Sequence, residues 1–272
     1  MNAKRIYSSN ADYQRFEVLK SNRNKRHRQG AFLVEGVKSI NEALRGDWRV
    51  QSFLYSFERP LSGWARCLLE GIPTEVNYEL TQPLMEALSG KTDTSELLAI
   101  VYMKDETPFA PAQNPVFVLF DRPSNKGNLG TLLRSCDALG VTGLALTGHG
   151  VDIYDPEVVR SSMGSFFRVP FRRLASNEEI EAFLAGLKNE YPSLQIIGTT
   201  AHRKRPISEL NLTGPVLFLL GNETEGLNRW ISEQCDTLAT IPMRPDAAAT
   251  SFNVSCAATV LLYEVARQRG FS

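Results

Sequence analysis

The chain has 272 residues, 43% of them hydrophobic and 22% charged, and its Lys and Arg balance its Asp and Glu at zero net charge. That length accommodates about two domains at roughly 150 residues each, with the composition of an ordinary globular protein. No apolar leader follows the basic start and no run of roughly 18 apolar residues appears, so neither secretion nor membrane spanning is expected, and the expected compartment is the cytoplasm.

Four cysteines (Cys67, Cys136, Cys235, Cys256) lack CxxC spacing and are accompanied by only three histidines. Structural thiols in a reducing compartment are expected, and no metal site. Neutral net charge does not advertise a nucleic-acid binder, but its distribution does. Residues 1–30 carry eight Lys or Arg against Asp12 and Glu17, leaving the remainder net acidic by six. The densest stretch holds Arg23, Lys25, Arg26 and Arg28. Such a run is often a solvated helix end, yet interleaved Asn and Gln donors, with Tyr7 and Tyr13 upstream, suit a phosphate-contacting surface.

In chain order, Phe32–Gly36 reads as a strand and Gly turn, followed by an amphipathic helix through Leu44. A strand is predicted within Trp48–Phe57, a helix over Leu61–Glu70, a short strand at Thr74–Val76, a helix at Leu84–Leu88 and a strand at Leu97–Tyr102. This alternation predicts a compact α/β domain over 1–104. Residues 105–115, in a stretch with three prolines and no periodicity, read as a linker.

Beyond it comes a more informative stretch. Val116–Phe120 has the length of a buried strand, and Ser124–Asn128 is a polar turn. Leu129, Leu132, Leu133 and Cys136 then recur at i, i+3, i+4 and i+7, one face of a helix. Asn128 falls near that helix's N-terminus, and Arg134 one to two turns inside it, off the apolar stripe. Strand, turn and helix start together offer backbone N–H groups to an anionic or polar ligand. On these grounds alone it is a ligand-binding βα crossover of open identity. It is not a dinucleotide fingerprint, because Gly127 and Gly130 are spaced GxxG. Strands at Gly143–Leu146, Leu194–Gly198, Val216–Leu220 and Thr237–Ile241 alternate with helices over Val158–Ser165, Glu178–Asn189, near Leu227 and from about Ser251 to Arg269. A parallel α/β sheet over 116–272 is predicted.

Asn128-Leu129-Gly130-x-x-x-Arg134 resembles the first motif of the SpoU (TrmH-like) RNA 2′-O-ribose methyltransferases of the SPOUT superfamily. Leu219–Leu227 resembles the second, and Ile241-Pro242-Met243 with Ser251–Ser255 leading into Leu262-Tyr263-Glu264 the third. Asp155-Pro156-x-x-x-Arg160-x-Ser162-x-Gly164 is a weaker fourth match. Residues 32–44 and 88–101 are similar to the L30e-like substrate-binding domain of many such enzymes. Departures are Asn125-Lys126 where relatives have Asp-Pro, Glu96-Leu97 in place of Gln-Gly, Phe252 in place of Leu, and a longer loop from Met243 to Ser251.

The resemblance implies a trefoil-knotted parallel sheet behind a smaller L30e-like domain, with S-adenosylmethionine held by the knot loops at Thr199, Thr200, Ala201, Leu220, Gly221, Asn222, Ile241, Met243 and Phe252. It implies catalysis by Arg134, supported by Asn128, Glu223, Ser251 and Asn253, and a homodimer packed through the C-terminal helices. For the last helix, Val254, Ala257, Ala258, Leu261, Leu262 and Val265 form one face, Cys256 and Val260 a second. The implied activity is methyl transfer to a ribose 2′-hydroxyl, in 23S ribosomal RNA ahead of transfer RNA. A non-enzymatic RNA-binding protein and a nucleotide-dependent oxidoreductase are the competing classes.

Overall fold

A computed structural model describes residues 3–202 and 204–270. The chain divides into two compact units: residues up to Asp105 with Asp152–Arg168, and Glu106–Val151 with Val169 onward.

The first unit begins with β1 (Ala3–Ile6), α1 (Ala11–Ser21), α2 (Arg23–Gln29), β2 (Ala31–Glu35), α3 (Val37–Arg45) and β3 (Val50–Ser56). It continues with α4 (Gly63–Gly71), β4 (Asn77–Leu80), α5 (Gln82–Ser89) and β5 (Leu97–Tyr102). The sheet order is β1-β4-β3-β5-β2; β5 runs antiparallel to both β3 and β2, and the other pairs are parallel. The strand expected at Thr74–Val76 lies at Asn77–Leu80, where Tyr78 and Leu80 reach the core and the Asn77 side chain accepts the Phe53 N–H at 2.9 Å. Glu96, the departure from the family pattern, accepts both the Ser62 N–H and hydroxyl at 2.8 and 2.7 Å, securing the N-cap of α4.

The second unit opens with β6 (Val116–Phe120), α6 (Lys126–Ala138) and β7 (Gly143–Thr147). The chain then supplies α7 (Pro156–Ser161), which belongs to the first unit and packs on β2. Tyr154 and Phe166 of that segment meet Phe32 and Trp48, with ring centroids 5.0 Å (Phe32–Tyr154) and 5.4 Å (Trp48–Phe166) apart. Residues 152–168 therefore leave the uninterrupted second domain expected over 116–272, because their aromatic side chains complete the first unit's core. The helix expected to reach Ser165 ends at Ser161, with Met163 at φ 52° and Gly164 at φ 97° breaking it. The second unit resumes with β8 (Phe171–Leu174), α8 (Asn177–Glu190), β9 (Gln195–Thr199), β10 (Arg205–Pro206), β11 (Val216–Leu220), α9 (Arg229–Ser232), β12 (Thr237–Thr240) and α10 (Val254–Arg269).

These strands form an all-parallel sheet ordered β10-β12-β9-β11-β6-β7-β8. Strands β6 and β11 read VFVLF and VLFLL and are buried throughout, as a parallel sheet covered on both faces requires. Chain order reverses between β6 and β11, which opens a crevice at their carboxyl ends. The proline-rich stretch is pinned to this unit. Phe109 lies 5.7 Å from Phe117, and a Cβ on Gly143 would meet the Phe109 ring at 2.4 Å. Helix α10 packs on α6, and the Ser135 and Thr259 hydroxyls share a 2.6 Å hydrogen bond.

Candidate active site

At the carboxyl ends of β6, β9, β11 and β12 lies a cleft of about 750 Å³. Each wall grows from a local sequence feature. Asn125 caps α6 by accepting the Asn128 N–H at 2.9 Å, so the helix starts at Lys126, two residues before Asn128, and turns that side chain into the cleft. Asn253 caps α10, its Oδ1 accepting the N–H groups of Ser255 and Cys256 at 3.0 and 3.4 Å. The helix consequently starts at Val254, and Ser251, near which it was expected to begin, lies exposed on the cleft wall. After β11 the chain reverses through Asn222–Gly226, closed by reciprocal backbone hydrogen bonds of 2.9 Å. Gly221 permits that reversal, since a Cβ there would lie 2.3 Å from the Gly226 and Leu227 backbone.

The turn carries Glu223, whose carboxylate accepts the Ser124 N–H and hydroxyl at 2.9 and 2.7 Å and the Asn125 N–H at 3.1 Å. Asn128 Nδ2 donates to Glu223 at 3.2 Å, and Asn253 Nδ2 donates to Asn128 Oδ1 at 2.9 Å. Three separate stretches of sequence thus join into one chain of side chains: Glu223, Asn128, Asn253. Partial burial works to raise the Glu223 carboxyl. The hydrogen bonds from Ser124 and Asn128 outweigh it and hold the group below the usual carboxylate range.

Of the expected cofactor residues, Thr199, Thr200, Ala201, Gly221, Asn222, Ile241, Met243 and Phe252 line the cleft. Leu220 does not; it is a strand residue only 1% exposed, with its side chain in the core. Leu238, Ile241, Met243, Phe252 and Leu261 supply an apolar lining suited to a flat heteroaromatic ring, and Glu223 and the threonines supply polar edges. His202 and Lys204 also line it and were missed, because no motif marks the loop after β9. The long loop after Met243 is exposed and folded on itself, with Arg244 bonding Asp246 through two contacts of 3.1 and 2.8 Å.

Arg134 is exposed on α6, six residues past Asn128 and so about 9 Å further along the axis at ~1.5 Å per residue. It is not among the residues lining the cleft, and among the described residues its guanidinium forms no hydrogen bond or ion pair. The basic stretch behaves differently. Lys25 and Arg28 are exposed and Arg23 is half-buried, but Arg26 is 1% exposed. Its guanidinium lies 2.8 Å from Asp152 and 3.4 Å from Asp155, and donates to the carbonyls of Leu19 and Lys20 at 3.0 and 3.1 Å. Arg26 is therefore withdrawn from the expected RNA-contacting set, since its donors are spent inside the protein. Tyr13 is likewise buried, donating to the Leu84 carbonyl at 3.0 Å, whereas Tyr7 is exposed.

The expected apolar face of α10 is largely consumed within the subunit: Ala258, Leu261, Leu262 and Val265 are buried. Cys256, Thr259, Val260 and Tyr263 are exposed. Burial pushes the Cys136 thiol up, and the Cys235 thiol up to about 11. Among the described residues no group of three or more His, Cys, Asp or Glu is placed to hold a metal ion, and no helix is long and apolar enough to cross a membrane.

The SpoU rRNA Methylase family matches residues 115–263, and the SpoU L30e-like domain matches residues 10–99. The chain is 40% identical to the 23S rRNA (uridine(2479)-2′-O)-methyltransferase of Streptomyces viridochromogenes over 98% of this chain and 93% of that one. It is 28% identical to the 23S rRNA (guanosine(2553)-2′-O)-methyltransferase RlmP of Bacillus subtilis, over 88% of this chain and 90% of that one. The crystal structure of the SpoU methyltransferase AviRb from S. viridochromogenes, in complex with the cofactor AdoMet, matches with a TM-score of 0.90 at 39% identity, covering 96% of this chain and 98% of that one.

Proposed function

The chain belongs to the SpoU rRNA methylase family, and we propose that it transfers the methyl group of S-adenosylmethionine to a ribose 2′-hydroxyl of 23S ribosomal RNA. The observation that carries this reading is the hydrogen-bonded chain Glu223–Asn128–Asn253, which ties three distant motifs together on the rim of one cleft. The cleft fits the cofactor in volume and in donor set: apolar strand ends for the adenine, and a carboxylate, hydroxyls and backbone at its edges. Thr199, Thr200, Ala201, Gly221, Asn222, Ile241, Met243 and Phe252 hold it; when bound, it supplies an electrophilic methyl group on a sulfonium.

The protein's share of the chemistry is positioning and charge. A ribose hydroxyl is a weak nucleophile, and Arg134 cannot act as its base because a guanidinium keeps its proton in proteins. Arg134 instead grips the phosphate beside the target ribose through its planar fork and stabilises the developing alkoxide, and the proton passes to that phosphate or to water. Its exposure, with donors that meet no partner among the described residues, supports this role. Asn128 has its amide engaged at both ends, so it sets the geometry of the rim. Glu223 anchors the turn, Asn253 starts α10, and Ser251 faces the cofactor from the same wall.

Lys25 and Arg28, with Arg23 beside them, contact RNA phosphates. The enzyme works in the cytoplasm as a homodimer whose contact is the exposed face of α10 around Val260 and Tyr263. The reading includes a threaded C-terminal segment, supported by β12 lying beside β9 and by α10 packing on α6. Mapping 2′-O-methyl groups in total RNA from a deletion strain tests the function: one lost site in 23S RNA is expected, whereas loss confined to transfer RNA overturns the substrate assignment. Light scattering tests the dimer: Val260→Glu is expected to release a monomer with little activity, whereas a wild-type protein that is monomeric and fully active refutes it.

A further inference from the structure

Arg122 stands just past β6 with φ 47°, a left-handed conformation that side-chain-bearing residues adopt rarely and at a cost. Every polar group it owns is nonetheless spent on one junction. Its N–H donates to the Thr147 hydroxyl at 3.2 Å, and its carbonyl accepts from Asn222 Nδ2 at 2.7 Å. Its guanidinium reaches the buried Asp121 carboxylate at 3.2 Å and Glu225 Oε2 at 2.6 Å. Asp121 does not depend on this arginine alone, since the Thr147 hydroxyl and the Asn228 N–H also donate to it, at 2.8 and 3.1 Å. Gly148 leaves room for the arginine stem, because a Cβ there would lie 2.8 Å from Arg122 Cγ.

Glu225 sits on the same five-residue turn as Glu223, two positions on, with its side chain 66% exposed. The turn is therefore gripped from two sides: Glu223 by the head of α6, and Asn222 and Glu225 by Arg122. If only the Glu223 contacts held it, the turn could pivot on the bonds that also fix Asn128. We propose that Arg122 is a positioning residue that sets the Asn222–Gly226 turn against α6, and so fixes the cleft wall on which cofactor and ribose are aligned. The proposal rests on the methyltransferase reading of that cleft. Arg122 touches neither reactant; it acts through Asn222 and Glu225.

The discriminating variant is Arg122→Lys, because Arg122 does not line the cleft whereas Glu225 does; Glu225→Ala is its companion, since so exposed a carboxylate adds little to stability. S-adenosylmethionine affinity by calorimetry, methyl incorporation into 23S RNA and melting temperature are measured together. Glu225→Ala is expected to weaken cofactor binding several-fold and slow turnover about tenfold, the scale of a small misplacement of reacting groups. Its melting temperature should stay within about 2 °C of wild type. Arg122→Lys, which keeps the charge without the fork, should resemble Glu225→Ala. Adding Glu225→Ala to Arg122→Lys should cost no more than Arg122→Lys alone, because the contact that Glu225→Ala removes is already broken there. Wild-type affinity and turnover in Glu225→Ala overturns the proposal, as does additivity in the double variant. If wild-type protein binds no S-adenosylmethionine, the methyltransferase reading falls and takes this one with it. Cofactor binding that Glu225→Ala leaves intact removes this proposal alone.

Discussion

Two helices carry the arginines singled out in the sequence, and they use them in opposite ways. On α2, Arg26 is buried among Asp152, Asp155 and two backbone carbonyls, with His27 Nε2 also 3.0 Å from Asp152. On α6, Arg134 is exposed and meets no acid among the described residues. The α2 arginine lies in a dense basic run that looks like a nucleic-acid surface, yet its charge is neutralised internally. The α6 arginine lies in an unremarkable amphipathic helix, yet its donors remain available. Local charge density is thus a poor guide to which cation is left available to a ligand; what decides is whether folding brings a carboxylate to it first.

The largest expected effect is on the buried side. Arg26→Ala leaves two carboxylates sharing a dry site without their cation, and chemical denaturation should register a loss of about 3–5 kcal/mol. If stability changes by less than about 1 kcal/mol, the two arginines are alike after all. Arg134→Ala should instead lower methyl incorporation by ~10²-fold or more at saturating cofactor, with melting temperature and cofactor affinity unchanged. Arg134→Lys should recover little of that rate, because a point charge does not reproduce the bidentate fork. An Ala variant within about threefold of wild type would remove the arginine from the mechanism.

Acid sharpens the same contrast. Burial alone would raise the Asp152 carboxyl, but hydrogen bonds from His27 and the Arg26 charge outweigh it and leave the group below its ordinary value. A depressed folded-state value means this stabilisation is fully present above the unfolded value near ~3.9 and is lost as pH falls through the folded one. Acid unfolding of Arg26→Ala should therefore begin at higher pH than in wild type, and that of Arg134→Ala should not move. The smallest effect is expected from Lys25→Ala with Arg28→Ala: RNA affinity falls modestly and its salt dependence flattens by up to about two slope units, one per lost phosphate contact. Unchanged salt dependence would make that face merely solvated.

Much of this was legible in the sequence. Short apolar runs and a 3.6-residue period mark β6, α6, β11 and α10, because those elements carry their own signals: continuous apolar strands and apolar helix stripes. The polar triplet Asn128, Glu223, Asn253 was legible only through the family resemblance. Strand β8 escapes because FRRL has no alternation of its own and pairs only by lying beside β7.

By itself, then, the sequence determined where the strands and helices of the parallel sheet form and which residue types gather at its carboxyl edge. Only the tertiary structure decided which of those residues are available. It withdrew Arg26 into an ion pair formed with residues more than a hundred positions away, and turned Leu220 into the core. It started α10 at Val254 rather than near Ser251, recruited residues 152–168 to the first unit and placed Arg122 across the mouth of two loops. Propensity and periodicity act over a turn or two of chain. Burial and charge pairing depend on neighbours that only folding supplies.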